Sequence, residues 1–465
     1  MRQRAQDEVA HLASLPLIAP ASADAVIAYR AGAAIPARQF LADVARAAAA
    51  LGDGRHVLNA CADRYHFAVG LGASLLGGKV TLLPSTRTPE VMRQLQAFAP
   101  DVVCLTDEAD CDIALPRVQL PSAAAQPASA PAGVRAQSIP QIDSDAHAAW
   151  VFTSGSTGAP VPHRKTFGRL IGCVREEARR LGIRDGRAHA IIATVPPQHM
   201  YGFESSVLAP LATGNALCAE RPFYPADICA VLAAVPAPRV LISTPIHLRA
   251  LIGSGLELPE VELMVSSTAP LAQPLAAEVE QRFKTTLLEI YGSTETGQIA
   301  VRRPTQEAEW HLWEGVRLES RGEETWAEGG HVEQPTRMWD VLELTGEDRF
   351  LLHGRVADLV NIAGKRSSLS YLNHQLVSIP GVEDGAFFHP GESPAAPAGT
   401  SASEPRVAAC VVAPGLTCAH ILAVLRQRID PVFLPRPLLL VASLPRTAAG
   451  KLPQEALRAL AAAGR

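Results

Sequence analysis

The sequence predicts an α/β protein: α/β layers over most of the chain, a small β-rich subdomain, then a smaller second domain at the C-terminus. Three observations carry this expectation. Short apolar runs alternate with helix-like periodicity from residue 37 to residue 290, the rhythm of parallel strands joined by crossover helices. Residues 302–353 drop that rhythm, alternate apolar with polar residues, and hold Trp310, Trp313, Trp326 and Trp339. The chain's 465 residues are also more than one ordinary core organises, and the last stretch of about 100 is long enough for a domain of its own.

Taken in order, Ala37 to Leu51 reads as a helix with Phe40, Leu41, Val44 and Ala48 on one face. Strands are expected at His56 to Ala60, Val80 to Leu83 and Val102 to Thr106, with helices at Tyr65 to Leu76 and Pro89 to Phe98. Gly70, Gly72, Gly77 and Gly78 do not spell G-x-G-x-x-G, so no dinucleotide fingerprint lies here. Pro121 to His147 is mostly alanine, proline and serine, which predicts a linker or surface excursion. The apolar run Ala148 to Phe152 then enters FTSGSTGAPVPHRK, and a helix with Leu170, Ile171, Val174, Ala178 and Leu181 on one face leads out. The rhythm resumes through Ala190 to Val195, Leu217 to Ala219, Ile228 to Ala234, Val240 to Ser243, Leu263 to Ser266, Leu275 to Phe283 and Leu287 to Ile290.

Composition excludes several classes of function. A net charge of -4 leaves no excess cation to replace the counterions of a nucleic acid. Eight cysteines without a C-x-x-C or a His/Cys ligand spacing read as free thiols in a reducing compartment. The N-terminal MRQRAQDEVAHLA has no apolar stretch of a secretion signal, and no run approaches the ~20 residues that span a bilayer. The expectation is a cytoplasmic protein with no nucleic-acid or membrane partner.

Four stretches carry chemistry. Thr153, Ser154, Ser156 and Thr157 place hydroxyls among Gly155 and Gly158, so backbone and side-chain donors can approach an anion. This reads as a phosphate cradle or as a Ser/Gly surface loop; it is neither a Walker loop nor a serine-hydrolase elbow. PPQHMYG puts His199, Tyr201 and Gly202 just past a strand end, where α/β sheets bind ligands; a core histidine with a structural tyrosine is the other reading. YGSTETG, Tyr291 to Gly297, follows another strand with a ring, a glycine, hydroxyls and a carboxylate. That set suits a nucleotide with its metal, Glu295 ligating Mg²⁺, or a solvated turn. LPRTAAGKL, Leu444 to Leu452, reads as a mobile basic loop.

Together and in this order, these stretches resemble the adenylate-forming superfamily of acyl- and aryl-CoA synthetases, peptide-synthetase adenylation domains and luciferases, over roughly residues 55–455. FTSGSTG is similar to that family's phosphate loop, YGSTE to its adenine and magnesium motif, GRVADLVNIAGKR to its hinge, and PRTAAGK to its C-terminal lysine loop. The resemblance implies a core domain over residues 1–353 and a small mobile α+β lid over 354–465. It implies ATP and Mg²⁺, an acyl-adenylate, and then transfer to the pantetheine thiol of an acyl carrier protein or CoA. Lys451, Glu295, Thr294 and His199 would be catalytic. Ser267, Thr268, Ala269, Tyr291 and Gly292 would border adenine, with Asp340 and Arg355 at the ribose and phosphate. His199, Tyr201, Gly202 and Gly292 would line the acid pocket, and Gly364 the thiol path.

Two positions depart from the family pattern. Val161 and Pro162 stand where Lys-Gly usually follows the loop proline, leaving Arg164 or Lys165 to supply that charge, and Ala357 replaces the usual charged hinge residue. PHRK is similar to the small ligases of aryl-polyene pigment pathways, which points to an aryl or unsaturated acid. The alternative function is a degenerate relative that binds nucleotide or acyl groups as a sensor without turnover.

Overall fold

The computed structural model describes residues 13–120, 138–154, 160–183, 187–322, 324–355, 359–362, 365–390, 406–446 and 452–463. Two large sheets organise the first 355 residues. A six-stranded sheet runs in the order Pro160–Thr166, His147–Ser154, Val80–Leu83, His56–Asn59, Val103–Thr106, Arg117–Gln119. It is parallel except at the edge pair His147–Ser154 and Pro160–Thr166. The second sheet has eleven strands. Its centre is parallel: Thr286–Ser293, Leu263–Ser266, Arg239–Ser243, Ala190–Ala193, Ala216–Cys218, Val26–Arg30. These central strands are buried on both faces, as uninterrupted runs such as Ala190–Ala193 and Leu263–Ser266 require.

Helix boundaries follow local chemistry. Asp63 caps Arg64–Leu76 by accepting from the His66 amide, and Thr88 caps Pro89–Phe98, with proline at the start. Arg64–Leu76 is buried around its whole girth because it lies between the two sheets. Its first residue joins them. The Arg64 guanidinium, fully buried, donates to the carbonyls of Ala193 (3.0 Å), Val195 (2.8 Å), Cys218 (3.0 Å) and Glu220 (2.7 Å). Burial lowers its pKa to about 10, so it stays a cation at neutral pH.

Three expectations are modified. Residues 141–147 are not a plain surface excursion: Gln141–Asp143 pairs with Ser14–Pro16, and Ile142 enters the core. FTSGSTGAPVPHRK does not run straight into a helix. Pro160–Thr166 is a strand that returns beside His147–Ser154, and the helix begins only at Phe167. A returning edge strand with prolines and charged residues looks like loop composition when read without its partner. The β-rich stretch also divides. Val316–Arg321, Glu324–Gly329 and Thr336–Met338 form a separate three-stranded sheet, whereas Trp310–Leu312, Asp340–Leu344 and Arg349–Arg355 extend the large one.

Beyond residue 358 the chain is α+β. The pair Leu359–Ile362 and Lys365–Ser368 precedes helix Leu369–Val377 and a sheet of Asp384–Phe388, Ala408–Val412 and Leu438–Leu440, with helices Cys418–Arg428 and Gln454–Ala463. Its apolar core, from Val360 through Phe433, shares no member with the clusters that precede residue 354. All eight cysteines are free thiols, five of them buried. Among the described residues no helix is long and apolar enough to cross a membrane.

Arg64→Leu should lower unfolding stability by at least about 3 kcal/mol, because each buried carbonyl left without a donor costs about 1–3 kcal/mol. A fall in the urea midpoint at constant m-value would register this. A loss below about 1 kcal/mol would mean that the guanidinium is not what joins the sheets.

Candidate functional site

The parallel strands Ala190–Ala193, Arg239–Ser243, Leu263–Ser266 and Thr286–Ser293 end on one edge. His199 and Ser267–Ala269 lie past such ends. Tyr291 and Gly292, expected past a strand, are within its last residues because Thr286–Ser293 continues to pair with Gly297–Arg302. Ser267 donates to the Ile290 carbonyl (2.9 Å), holding the 267–269 segment beside Tyr291. Thr268 sits at φ +77°, a backbone conformation that costs an L residue about 1–3 kcal/mol and collects at functional sites. Ala269 is half-buried beside it.

Tyr291 is held on two sides. Its ring packs against Trp310 and Phe350, each with centroid at 5.5 Å, and its hydroxyl donates to Asp340 Oδ2 at 2.6 Å. The proposed adenine and ribose residues are therefore directly joined. Asp340 pairs across its strand with Arg355, which brings that backbone position into the same neighbourhood.

The antiparallel edge pair brings in Thr153, the first residue of the expected phosphate cradle. Thr153, Val151 and Ala149 face Val161, His163 and Lys165 in register, so all six side chains share one face. On that face Thr153 Oγ1 is 3.0 Å from His163 Nε2, and the same nitrogen is 3.6 Å from Glu295 Oε1. Burial, with the nearby Lys165 cation, outweighs Glu295 and lowers the His163 pKa, so the imidazole is neutral at pH 7. Lys165 Nζ donates to the main-chain carbonyl of Glu295 at 3.0 Å. One sheet's edge strand thus holds the Glu295 turn of the other. Thr294 is half-buried within that turn, which Ser293 and Thr296 close by hydrogen bonds of 3.0–3.2 Å.

The acid-pocket residues divide by role. His199 is half-buried ahead of helix Met200–Phe203. Tyr201 is buried, and its hydroxyl donates to the Val265 carbonyl (3.1 Å), so its donor is already committed. Gly202 is required by packing: a Cβ there would lie 2.0 Å from the Pro196 carbonyl oxygen. Gly292 stands at a bulge opposite Gln298, where a Cβ would meet the Gly297 carbonyl at 2.3 Å.

A buried polar cluster lies behind this wall, and the sequence reading did not anticipate it. Lys165 is 3% exposed, so it cannot serve as a solvent-side substitute for the missing loop lysine. Its pKa is lowered by burial, against the pull of Glu204 and Glu333. Glu204 accepts from the Cys173 thiol (3.1 Å) within the π-helical turn Glu204–Leu208, a distortion common at functional sites. Glu177 is buried with both carboxylate oxygens unpartnered. Ser205 and Gln298 come close enough to restrain its pKa but do not reach hydrogen-bond geometry, and burial pushes its carboxyl up to about 8. The Glu204 carboxyl is likewise pushed up, to about 7. The register of Pro160–Thr166 is the signal that finds His163 and Lys165. No sequence signal marks Glu177.

Gly155, Ser156, Thr157, Gly158, Gly364 and Lys451 lie outside the described residues, as do the side chains of Ser154 and Arg355. Among the described residues, Asp63, His66 and Asp107 also converge, but their partners are internal. Asp63 caps its helix and pairs with Arg30, and Asp107 accepts from the amides of Ala62 and Asp63.

The Glu177 carboxyl has a testable consequence. Native protein holds this proton up to about pH 8, whereas an unfolded glutamate releases it near its ordinary 4.5. In that window the native state binds more protons, so the group's contribution to stability falls as pH rises. Glu177→Gln carries no titrating proton. Its melting temperature relative to the native chain should therefore rise between about pH 5.5 and about pH 8.5. A pH-independent difference would place the proton elsewhere.

The chain is similar to known proteins in both sequence and fold. It is 30% identical over 231 residues to a 4-coumarate–CoA ligase of Rhodobacter capsulatus, covering 50% of this chain and 58% of that one. Its fold matches ATP-bound MatB from Rhodopseudomonas palustris with a TM-score of 0.78 at 20% identity, over 95% of this chain and 97% of that one. It also matches MenE of Bacillus subtilis in complex with the acyl-adenylate OSB-AMP, with a TM-score of 0.77 at 18% identity, over 94% and 96%. The chain spans only 58% of that ligase and 55% of a second 4-coumarate–CoA ligase, from Halorhodospira halophila, little more than half the length of each. The model of the AMP-binding enzyme family matches residues 18–319, and with the strand-end site just described the chain belongs to that family.

Proposed function

We propose that the chain is an ATP-dependent carboxylic acid–thiol ligase that works through an acyl-adenylate. The observation that carries this reading is the seat where Thr153, His163 and Glu295 meet, beside Tyr291 bonded to Asp340. A hydroxyl from the phosphate loop and a carboxylate from the metal motif come from two different sheets and face one another. Such a pair suits the triphosphate of a nucleotide and its cation.

The residues fit Mg²⁺. Glu295 keeps its carboxylate toward a neutral imidazole, and Lys165 engages its carbonyl instead, so an anionic oxygen is left for a hard cation. Bound there, Mg²⁺ would supply charge neutralisation for the phosphates. Thr153, Ser154, Ser156 and Thr157 would donate to the β- and γ-phosphates, with Gly155 and Gly158 allowing close approach. Asp340 and Arg355 would hold ribose and α-phosphate. A carboxylate oxygen of the acid, beside His199, attacks the α-phosphorus as the bond to pyrophosphate breaks. Lys451 stabilises the negative charge that builds there. A thiol sulfur then attacks the acyl carbon, the acyl C–O bond breaks, and AMP leaves. In this scheme residues 354–465 form a lid that turns on the core between the two steps, presenting Lys451 first and the thiol path at Gly364 second.

An aryl or unsaturated acid, with CoA or an acyl carrier protein as acceptor, is the finer proposal. The 4-coumarate–CoA ligase name borne by the Rhodobacter capsulatus relative supports the acid and CoA. PHRK after the loop is the remaining support for the carrier protein.

Carboxylate-dependent exchange of labelled pyrophosphate into ATP tests the first half-reaction. Lys451→Ala should slow it by about 10²–10³-fold, the usual cost of one transition-state contact, while conversion of a supplied acyl-adenylate to thioester persists. Glu295→Gln should raise the Mg²⁺ concentration needed for half-maximal exchange, and Asp340→Ala should raise the KM for ATP. Exchange absent with every acid tried would reject the ligase in favour of a non-catalytic binder.

Positioning by the buried cation is tested separately. Lys165→Met removes the donor to the Glu295 carbonyl and should raise the Mg²⁺ requirement about tenfold, with Lys165→Arg partly restoring it. A loss of kcat at unchanged Mg²⁺ requirement would assign Lys165 a different role.

A further inference from the structure

Glu177 is the strongest unexplained group in the molecule. It projects inward from helix Phe167–Arg180, is 1% exposed, and has no hydrogen-bond partner at either oxygen. A buried polar group in that condition costs about 1–3 kcal/mol, more if charged, and is found where a ligand or water completes it. Its neighbours are similarly incomplete: Glu204 Oε2 and Gln298 Oε1 are also buried without partners.

The position of this cluster connects it with the acid. Ser205 follows Tyr201 by four residues along the chain, and Gln298 stands opposite Gly292 in the bulged strand pair. Tyr201 and Gly292 are the proposed pocket walls, Ser205 and Gln298 border them, and the helix that carries Glu177 packs on the elements that hold Ser205 and Gln298. Tyr201 feels the Glu177 carboxyl electrostatically. The Tyr201 hydroxyl, the obvious partner for a polar group on the acid, already donates to Val265. Gln298 spends one of its two amide N–H donors on Ser205 (2.8 Å). Glu177 remains the group with both oxygens open.

Resting on the ligase reading, we infer that Glu177 determines acid specificity, receiving a neutral hydroxyl carried at the end of the acid remote from its carboxylate. Protonated, Glu177 offers one donor and one acceptor, which a phenolic or alcoholic hydroxyl satisfies reciprocally. A second carboxylate on the acid would bring a charge into this buried site, where Glu177 supplies no cation to pair with it, which is costly. A saturated or unsubstituted ring would leave the carboxyl as unpartnered as it stands.

The test compares matched pairs: 4-hydroxybenzoate with benzoate, and 4-hydroxycinnamate with cinnamate. With the full chain, pyrophosphate exchange should favour the hydroxylated member by about ten- to a hundredfold in kcat/KM, the range expected for one buried hydrogen-bonding group. Glu177→Leu should bring that ratio close to one through loss of the hydroxylated member, whereas Glu177→Gln should keep a preference. Calorimetric binding of the same four acids, with a non-hydrolysable ATP analogue present, repeats the comparison without turnover. A chain that binds selectively but does not exchange would fail as a ligase and still support the role of Glu177. An unchanged ratio in Glu177→Leu, a preference for benzoate or cinnamate, or no binding of any of the four would overturn the inference. Melting temperatures of both variants show whether a change reflects folding.

Discussion

The guanidinium of Arg64 is the contact on which the arrangement depends. Parallel strands leave carbonyls without partners past their ends, and a buried carbonyl without a donor is costly. One planar cation at the start of a buried helix satisfies four of them at once, on two neighbouring strands and the residues that follow them. Because that helix belongs to the layer of the six-stranded sheet, the same bonds set how the two sheets meet. Thr153 and His163 sit 3.0 Å apart on one sheet and Glu295 on the other, so the 3.6 Å approach of His163 to Glu295 is a consequence of this docking.

Close docking of two polar edges leaves a region that is neither core nor solvent, and its groups respond to burial. Lys165 stays inside because Glu204 and Glu333 offset the cost of removing its charge from water, and because a carbonyl accepts from it. Glu177 has no such compensation and holds its proton instead. One cluster therefore contains a cation that braces the metal motif and an acid that is neutral at physiological pH. The first suits a fixed framework and the second a site completed by something that enters.

Glycine illustrates how different constraints give the same letter. Gly202 and Gly292 both belong to the proposed acid pocket, and their small size suggests room for a ligand. Both are in fact demanded by backbone: the carbonyls of Pro196 and Gly297 occupy the space that a Cβ would need. In the proposed pocket the chemistry thus falls to side chains at positions other than these two.

The sequence by itself determined the α/β class, the alternation of strands and helices over much of the chain and the family motifs, because those rest on local periodicity and on hydroxyl, glycine and carboxylate spacing within a few residues. It also indicated the chain positions of Thr153, Tyr291, Glu295 and Asp340. It could not show that Pro160–Thr166 turns back as a strand, since an edge strand with charged residues on it has the composition of a loop. It could not separate Lys165 from Arg164 either. Only the register, pairing Lys165 with Ala149, turns one inward and leaves its neighbour exposed. Glu177 is least legible of all, an ordinary glutamate in a charged helix segment beside Glu176, which is salt-bridged to Arg179 and Arg180. Tertiary packing alone decided that one of two adjacent glutamates pairs with arginine while the other is buried without a partner.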